Sequence, residues 1–363
     1  MKTYKVVGVM SGTSLDGLDI AFCEFSKKGK RWSYLIKAAS TIDYSLEQKR
    51  MFSDLMNVSA EELALADVQF GSFIGKNVKK FLSSKKLKAD FICSHGHTIF
   101  HQPARAFTYQ LGSGASISAQ CDLPVVSDLR SLDVALGGQG APLVPIGDQL
   151  LFNEYDFCLN LGGISNISFE AKKKRIAFDI SPVNIVLNAL AKEKGLEYDE
   201  SGKLASVGLV NPDILTALNV LDFYKQKFPK SLGKEWIDQH VFPIIQSSSI
   251  SIEDKLSTFC EHIADQLQVV IKKVPLNSSK KKRSLLITGG GAFNAYLINR
   301  IREKLKGKLE VIVPDKNTVM FKEALIFAFL GVLRIRNENN SLRSVTGATK
   351  DAIGGALYGR IPS

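Results

Sequence analysis

Three segments rich in glycine and hydroxyl residues each follow an apolar run that is typical of a β-strand. They are residues 11–19 (SGTSLDGLD), 161–166 (LGGISN) and 288–294 (TGGGAFN). Glycines allow positive φ, so successive N–H groups can converge on an anion, and Ser and Thr hydroxyls add donors. The segments match neither the Walker pattern nor the dinucleotide-binding pattern. Each alone could be a tight polar turn, but three of them at strand ends fit one nucleotide bound between two lobes.

Two carboxylates occupy positions where a charge needs an explanation. Asp179 follows the apolar run 176–178, and Glu323 lies within the apolar stretch 321–328. A carboxylate at a strand end beside a phosphate site is a candidate general base, because dry surroundings raise its pKa. Asp179 could instead cap a helix that begins after Pro182. A charge such as that of Glu323 inside an apolar helix needs a partner or a function.

Three histidines, His95, His97 and His101, lie close together in the sequence. Their spacing could suit zinc, but no acidic or cysteine ligand accompanies them. We therefore expect residues 94–97 (SHGH) to form a polar turn that faces a ligand cleft.

The elements that must position these residues alternate between strand-like and helix-like segments. Strands are predicted at 5–10, 18–25, 91–94, 125–128, 157–160, 284–287 and 309–313, and helices at 44–55, 60–82, 112–119, 252–273, 294–304 and 320–334. Each half of the chain opens with a strand, a turn of glycine and hydroxyl residues, and a second strand. This repeat indicates duplicated domains, although such hairpins also occur in α/β proteins that are not duplicated.

The composition is typical of a globular protein with a large core. Of 363 residues, 45% are hydrophobic and 23% are charged, and this length favours two domains. The apolar stretches are too short for a membrane span or a signal peptide, which predicts a cytoplasmic protein with no membrane partner. Five cysteines, an odd number without paired spacing, lie mostly in apolar stretches and are expected to be reduced core residues.

The formal net charge of +11 could indicate a nucleic-acid binder. Much of the excess lies in four basic clusters, at 27–31, 85–88, 172–175 and 280–283, each just before a strand-like run. This placement is typical of solvated loop tips, and no RNP, helix-turn-helix or zinc-finger pattern is present. We therefore expect no nucleic-acid partner.

Taken together, the motifs resemble those of the anhydro-N-acetylmuramic acid kinases, within the superfamily of sugar kinases, Hsp70 and actin. The resemblance covers nearly the whole chain. It rests on residues 8–17 (GVMSGTSLDG), 94–98 (SHGHT), 125–142 with DLR at 128–130 and GGQGAP at 137–142, 160–166 (NLGGISN), 288–292 (TGGGA), 322–324 (KEA) and 345–348 (VTGA).

The resemblance implies an α/β fold of the two-lobed, actin-like ATPase type, a duplicated ribonuclease H-like architecture with an interdomain cleft. We place the N-terminal lobe at 1–132 plus about 335–363 and the C-terminal lobe at 133–334. We also expect a homodimer.

The same resemblance implies a transferase of peptidoglycan recycling. Such kinases cleave the 1,6-anhydro bond of anhydro-N-acetylmuramic acid with water and transfer the γ-phosphoryl group of ATP to the freed O6, which gives N-acetylmuramic acid 6-phosphate. The implied ligands are ATP, Mg²⁺ and a small amino sugar. Phosphoryl transfer depends mostly on positioning and on charge neutralisation.

The resemblance also implies roles for individual residues. Asp179 would take a proton from water, and Glu323 would be the second essential carboxylate. Arg130 would pair with developing negative charge or with the lactyl carboxylate, and His97 and Asn184 would bind substrate. Mg²⁺ would lie near the acids of the first turn, with Asp16 as a ligand. ATP would be held at its phosphates by Gly12, Thr13, Ser14, Leu15, Asp16, Gly17, Leu18 and Asp19, with Gly162 and Gly163, and at its adenosine by Gly289, Gly290 and Gly291.

One motif departs from the usual family pattern. The common form around the catalytic aspartate is Asp-Thr-Gly-Pro-Gly-Asn, whereas residues 179–184 read DISPVN. Without the two glycines, the backbone is less able to approach a sugar closely. A kinase of another amino sugar or of a uronic acid is therefore kept as an alternative. A nucleotide-driven scaffold protein is the alternative from a different class.

Overall fold

The computed structural model describes residues 2–12, 15–274 and 283–360. Thr13 and Ser14 of the predicted nucleotide turn, and Lys280, Lys281 and Lys282 of the last basic cluster, lie outside the described residues. Within the described ranges, no helix combines the length and the apolarity that crossing a bilayer requires.

The strands and helices alternate along the chain. The strands are β1 (Thr3–Ser11), β2 (Gly17–Lys28), β3 (Arg31–Asp43), β4 (Phe91–Gln102), β5 (Phe107–Leu111), β6 (Val125–Ser127), β7 (Phe157–Leu161), β8 (Ile164–Ala171), β9 (Lys174–Pro182), β10 (Arg283–Thr288), β11 (Leu309–Ile312) and β12 (Ala356–Tyr358). The helices are α1 (Leu46–Asp54), α2 (Ala60–Lys85), α3 (Gly114–Cys121), α4 (Ser131–Ala135), α5 (Val144–Leu151), α6 (Asn184–Lys192), α7 (Lys203–Val207), α8 (Pro212–Asn219), α9 (Asp222–Lys225), α10 (Lys234–His240), α11 (Phe242–Gln246), α12 (Ile252–Lys273), α13 (Ala295–Leu305), α14 (Lys316–Ile335) and α15 (Arg343–Thr346). Short 3₁₀ helices lie at Pro103–Arg105, Glu200–Gly202 and Gly290–Phe293.

Contacts between Cα atoms divide the chain into two units, Met1–Phe152 with Phe321–Ser363, and Asn153–Met320. The boundaries expected from the sequence, after residues 132 and 334, both fall inside the first unit. Residues just beyond 132 belong there because the buried Asp133 carboxylate accepts hydrogen bonds from Ser341 and Thr346 near the C-terminus.

The sheet of the first unit has the strand order β12-β6-β4-β1-β2-β3, and β5 pairs with β4. Strands β1, β2 and β3 are antiparallel neighbours, whereas β4 runs parallel to β1 and β6 runs parallel to β4. The second unit repeats this arrangement in the order β11-β10-β7-β8-β9, with three antiparallel strands followed by two parallel ones. The same strand order and directions in both units confirm the predicted duplicated, ribonuclease H-like α/β fold.

Each unit has its own apolar core. In the first unit, the part of α14 that follows Phe321 is buried on nearly every side, since residues 325–330 are all almost completely buried. In the second unit, Phe259, Ile263 and Leu267 of the amphipathic helix α12 are buried among strand residues such as Phe157 and Phe169. All five cysteines are free and buried, and their burial agrees with their prediction as core residues.

Two glycines let α14 approach the first sheet. A Cβ on Gly8 of β1 would lie 1.9 Å from the carbonyl oxygen of Ala324 in α14, and a Cβ on Gly331 of α14 would lie 2.7 Å from the Cβ of Cys93 in β4. No larger residue fits either position without moving the helix. This packing therefore fixes the distance of α14 from the sheet, and it thereby also fixes the position of Glu323.

Two predictions about the segments that carry site residues are wrong. Residues 94–97 do not form a turn, because β4 continues through them to Gln102 and pairs His97 with Ser11 of β1 and with Leu111 of β5. The strand that carries Asp179 does not end before it, because β9 continues to Pro182. Its register with β8 shifts there, since Asp179 faces Asn166 and Ser181 faces Ser165, which leaves Ile180 as an extra residue.

Candidate active site

In the first unit, the turn between β1 and β2 is the predicted phosphate-binding segment. The Leu15 N–H group donates to the Gly12 carbonyl at 3.2 Å, and Leu15 has a φ of +58°. Gly17 approaches β3 so closely that a Cβ would lie 2.7 Å from the Ile42 carbonyl oxygen. Packing of the hairpin therefore requires glycine at 17, and the fully buried Leu18 can offer a ligand only its backbone.

A buried hydrogen-bond chain fixes the base of this turn. The Tyr44 hydroxyl donates to Ser11 Oγ at 2.7 Å, and Ser11 Oγ lies 2.9 Å from His97 Nδ1. The His97 ring stacks on Phe52 with a centroid distance of 4.4 Å. Burial lowers the pKa of His97 to about 4, so its imidazole is neutral near pH 7. The buried His97 side chain thus contacts Ser11 at the end of β1.

Two carboxylates follow the turn. Asp19 is half-buried and accepts a 2.6 Å hydrogen bond from Thr41 Oγ1, whereas Asp16 is exposed. Burial raises the pKa of Asp19, and the neighbouring Asp16 charge raises it further. A divalent cation between these oxygens would relieve that repulsion.

Arg130 is held in a fixed orientation. Its Nε donates to His95 Nε2 at 2.8 Å, and its Nη1 donates to the Gly140 carbonyl. His95 must therefore accept at Nε2 and carry its proton on Nδ1, which lies 2.9 Å from the Gly96 carbonyl oxygen. Gly140 is held in turn, because its N–H donates to the Asp133 carboxylate at 2.8 Å. Among the described residues, Arg130 Nη2 has no hydrogen-bond partner, so it could donate to an anion.

Glu323 lies near the start of α14, in the first unit. Its side chain reaches solvent, yet desolvation by its packed surroundings raises its pKa, while the Arg130 charge acts in the opposite direction. The preceding residue, Lys322, forms a buried ion pair with Asp148 of α5 at 2.7 Å. Lys322 therefore anchors the helix directly beside Glu323.

In the second unit, the turn between β7 and β8 is bonded to the start of α6. The Gly163 carbonyl accepts from the N–H of Val183 at 2.8 Å, and the Gly162 carbonyl accepts from the N–H of Asn184 at 3.2 Å. The Asn184 side chain donates through Nδ2 to the Leu161 carbonyl at 3.2 Å. Asn184 is thus a structural link between this turn and α6.

The glycine run after β10 lies against the same turn. Gly289 has a φ of +83°, and a Cβ there would lie 2.5 Å from Asn160 Oδ1 and 2.8 Å from the Leu161 carbonyl oxygen. A Cβ on Gly290 would lie 3.4 Å from Asn184 Nδ2. The second and third predicted nucleotide segments are therefore neighbours in space.

Asp179 is the half-buried carboxylate of the second unit. Its Oδ2 atom accepts a hydrogen bond from the Leu232 N–H group at 2.9 Å and one from Ser231 Oγ at 3.3 Å. Its own N–H group donates to the Lys230 carbonyl at 3.0 Å. Burial raises the pKa of Asp179, and these two donors lower it in part. The carboxylate is thus held in place and made more basic than an exposed aspartate.

Comparison with known proteins identifies the family. Residues 4–360 match the family model described as anhydro-N-acetylmuramic acid kinase. Curated relatives with that name include proteins of Sulfurovum sp. (32% identity, 99% of this chain and 100% of the relative) and of Francisella tularensis subsp. novicida (33%, 98% and 99%). The chain belongs to the anhydro-N-acetylmuramic acid kinase family. Its predicted membership is thereby confirmed.

Solved structures are similar at greater distance, and one of them serves as an example. The activator of the 2-hydroxyisocaproyl-CoA dehydratase from Clostridium difficile matches over 92% of this chain and 97% of its own with 13% identity and a TM-score of 0.44.

In this member of the family, the predicted site residues fall into two groups. In the first unit, Glu323 lies within electrostatic range of Arg130 and of Asp19, which follows the β1–β2 turn. The second unit carries Asp179 on β9 and the two glycine turns, which lie against each other. The alternative role of Asp179 as a helix cap is wrong, because α6 begins after Val183 and has no side-chain cap.

Several residues of the site were not found from the sequence. Asp133 supports Gly140, Tyr44 supports Ser11, and residues 230–232 hold Asp179. Each of these residues supports a site residue that lies elsewhere in the sequence, so no local motif identifies it. The one available signal was the Lys-Ser-Leu-Gly turn at 230–233, which lies between two helices.

The site is suited to Mg²⁺ held jointly by protein and nucleotide. Among the residues that the structure describes, no group of three or more His, Cys, Asp or Glu side chains could hold a metal ion by themselves. Mg²⁺ commonly uses one or two carboxylates together with phosphate oxygens and water. Asp16 and Asp19 supply that type of ligand. The pKa of Asp19 is raised mainly by burial and to a smaller extent by the Asp16 charge, and a cation would stabilise the ionised form of both carboxylates.

Proposed function

We propose that this chain is an ATP-dependent kinase that hydrolyses the 1,6-anhydro bond of 1,6-anhydro-N-acetylmuramic acid and phosphorylates O6. The product would be N-acetylmuramic acid 6-phosphate, in peptidoglycan recycling. The observation that carries the proposal is Asp179, a held, half-buried carboxylate with a raised pKa in a chain of this family.

Asp179 acts as the general base. As water attacks C1, Asp179 takes its proton, the C1–O6 bond breaks, and O6 leaves with the bonding electron pair. O6 then attacks the γ-phosphorus of ATP, and ADP leaves. Because Asp179 must be ionised to accept the proton, kcat/KM should fall as the pH falls through its raised pKa.

The remaining site residues bind ATP, its metal ion and the charged groups of the substrates. The β1–β2 turn of residues 12–19 binds the β- and γ-phosphates, and the Gly162–Gly163 and Gly289–Gly291 turns bind the rest of the nucleotide, with the last at adenosine. Asp16 and Asp19 would hold Mg²⁺, which reduces the negative charge of the transferring group when bound. Arg130 donates through Nη2 to the negative charge that develops on the phosphoryl group or to the lactyl carboxylate of the substrate. Glu323 is the second essential carboxylate.

Two residues expected to bind substrate have internal contacts in this structure. His97 is bonded to Ser11, and Asn184 is bonded to Leu161. We propose that both act mainly by fixing the turns that bind ATP. Direct contact of either side chain with substrate stays a prediction.

The departure at 179–184 is compatible with the anhydro sugar. The two residues that replace the usual glycines, Ser181 and Val183, are both completely buried. Ser181 shares hydrogen bonds with Ser165, and its N–H donates to Ser165 Oγ at 3.1 Å. Both side chains therefore point into the unit and add no bulk at its surface, which supports the family substrate over a different amino sugar or a uronic acid.

The cellular compartment of the enzyme can be inferred from its substrates and its cysteines. We propose that it works in the cytoplasm, where ATP is available, and the five free, buried cysteines suit a reducing compartment. A homodimer remains part of the proposal.

The experiment is a turnover assay with ATP, Mg²⁺ and the anhydro sugar. Wild type should release ADP and form the 6-phosphate, whereas Asp179→Asn should lower kcat by about 10²- to 10⁴-fold with ATP binding retained. Asp213→Asn, an exposed aspartate of α8, is the matched control and should keep full activity. Full turnover by Asp179→Asn would refute the base assignment, and phosphorylation of a different sugar alone would favour the alternative substrate.

A further inference from the structure

The loop of residues 226–233 surrounds Asp179 on one side. The Lys230 carbonyl accepts the Asp179 N–H at 3.0 Å, while the Leu232 N–H and the Ser231 hydroxyl both donate to Asp179 Oδ2, at 2.9 and 3.3 Å. Three consecutive residues therefore fix the backbone and one carboxylate oxygen of the same aspartate. This loop lies outside the sequence motifs that carry the resemblance to the family.

The loop is attached to the body of the second unit at two points. The Phe228 ring stacks on Phe178, the neighbour of Asp179, with centroids 4.8 Å apart and an interplanar angle of 8°. Lys230 Nζ donates to the Phe223 carbonyl at 2.8 Å and lies 4.0 Å from the centroid of the Phe223 ring. Leu232 is buried against Phe223 of α9. The donors to Asp179 are thus on a fixed segment, although Ser231 itself is exposed.

We propose that this loop commits Oδ2 of Asp179 to the protein and leaves Oδ1 as the atom that takes the proton from water, with Ser231 as a positioning residue. This inference rests on the proposed function. An oxygen that accepts two hydrogen bonds is the poorer base of the two. Among the described residues, no hydrogen bond to Oδ1 is present. The held Oδ2 also fixes the plane of the carboxylate and hence the direction in which Oδ1 can accept.

The proposal predicts a specific change in the pH profile. The Ser231 hydroxyl stabilises the ionised carboxylate and lowers its pKa, so its removal in Ser231→Ala should raise that pKa. Because the base must be ionised, the acid limb of the kcat/KM profile should move to higher pH. The loss of one hydrogen bond to a carboxylate should lower kcat/KM at neutral pH by about 3- to 10-fold. KM for ATP should not change.

Two further variants separate this role from a general structural effect. Ser231→Thr keeps the hydroxyl and should restore both the rate and the acid limb. Ser247→Ala removes another exposed hydroxyl of the second unit, one that bonds only to the Ile244 carbonyl, and should behave as wild type.

The outcomes distinguish this inference from the proposed function. An active wild type with an unchanged rate and acid limb in Ser231→Ala would overturn the positioning role alone. Equal losses in Ser231→Ala and Ser231→Thr would also overturn it, because the hydroxyl would not be the cause. A wild type that phosphorylates no anhydro sugar would overturn the proposed function and this inference together.

Discussion

Gly8→Ala tests whether the packing of α14 on β1 sets both stability and the position of Glu323. The new Cβ would lie 1.9 Å from the Ala324 carbonyl oxygen and 2.9 Å from the Ala328 Cβ. The first obstacle is backbone, so no side-chain rotation relieves it and the helix must move away from the sheet by more than an ångström. Glu323 precedes Ala324 and must move with it.

The expected cost is at the upper end for overpacking, about 3 kcal/mol. For a unit of this size, that corresponds to a fall in Tm of about 6–12 °C. Thermal unfolding followed by circular dichroism measures the shift, and the turnover assay measures the loss of kcat at a temperature where the variant stays folded. Gly29→Asn is the control, because Gly29 has open space around it and asparagine tolerates its φ of +60°.

A Gly8→Ala variant that melts within about 1 °C of wild type would refute the tight approach of α14 to β1. A variant that is destabilised but retains full kcat would show that the position of Glu323 does not depend on this contact.

The other predictions concern two cations of the first unit. Arg130→Lys cannot form both hydrogen bonds to His95 and Gly140, because lysine lacks the two donor atoms of the guanidinium group that make them. The variant should lower kcat/KM about 10- to 100-fold with little change in Tm. A loss below twofold would contradict the proposed role of the guanidinium group. Lys322→Met removes the cation from its buried pair with Asp148 and should cost about 3–5 kcal/mol, measured by thermal unfolding. Adding Asp148→Leu should recover part of that loss, and strictly additive losses in the double variant would count against the pair.

Much of the fold could be predicted because its signals are local. Apolar alternation and glycine turns marked two similar hairpins, which indicated a duplication that the sheet topology then confirmed. The fully apolar stretch around Glu323 marked a buried helix, since only burial on all sides allows that pattern.

The polar part of β4 could not be predicted in the same way. His95 and His97 interrupt an apolar run, so the sequence favoured a turn there. In the structure the strand continues because it pairs with both β1 and β5, and the rings of Phe52 and Phe70 cover His97. These contacts join residues far apart in sequence, which no local pattern reveals.

The hydrogen-bond donors to Asp179 could not be predicted from local sequence patterns either. Its donors, Ser231 and Leu232, lie more than fifty residues away in sequence. The sequence identified the carboxylate from its place after an apolar run, but not the loop whose groups donate to its Oδ2 atom.

The central claim is that the oxygen released from C1 becomes the phosphoryl acceptor, and one measurement tests it directly. Anhydro-N-acetylmuramic acid labelled with ¹⁸O at the bridging oxygen is converted with ATP and Mg²⁺, and the product is examined by ³¹P NMR and mass spectrometry. The account predicts a 6-phosphate that retains ¹⁸O as the ester oxygen bridging C6 and phosphorus, with ADP formed in equal amount. A phosphate ester without ¹⁸O, or ADP formed without any sugar phosphate, would contradict it.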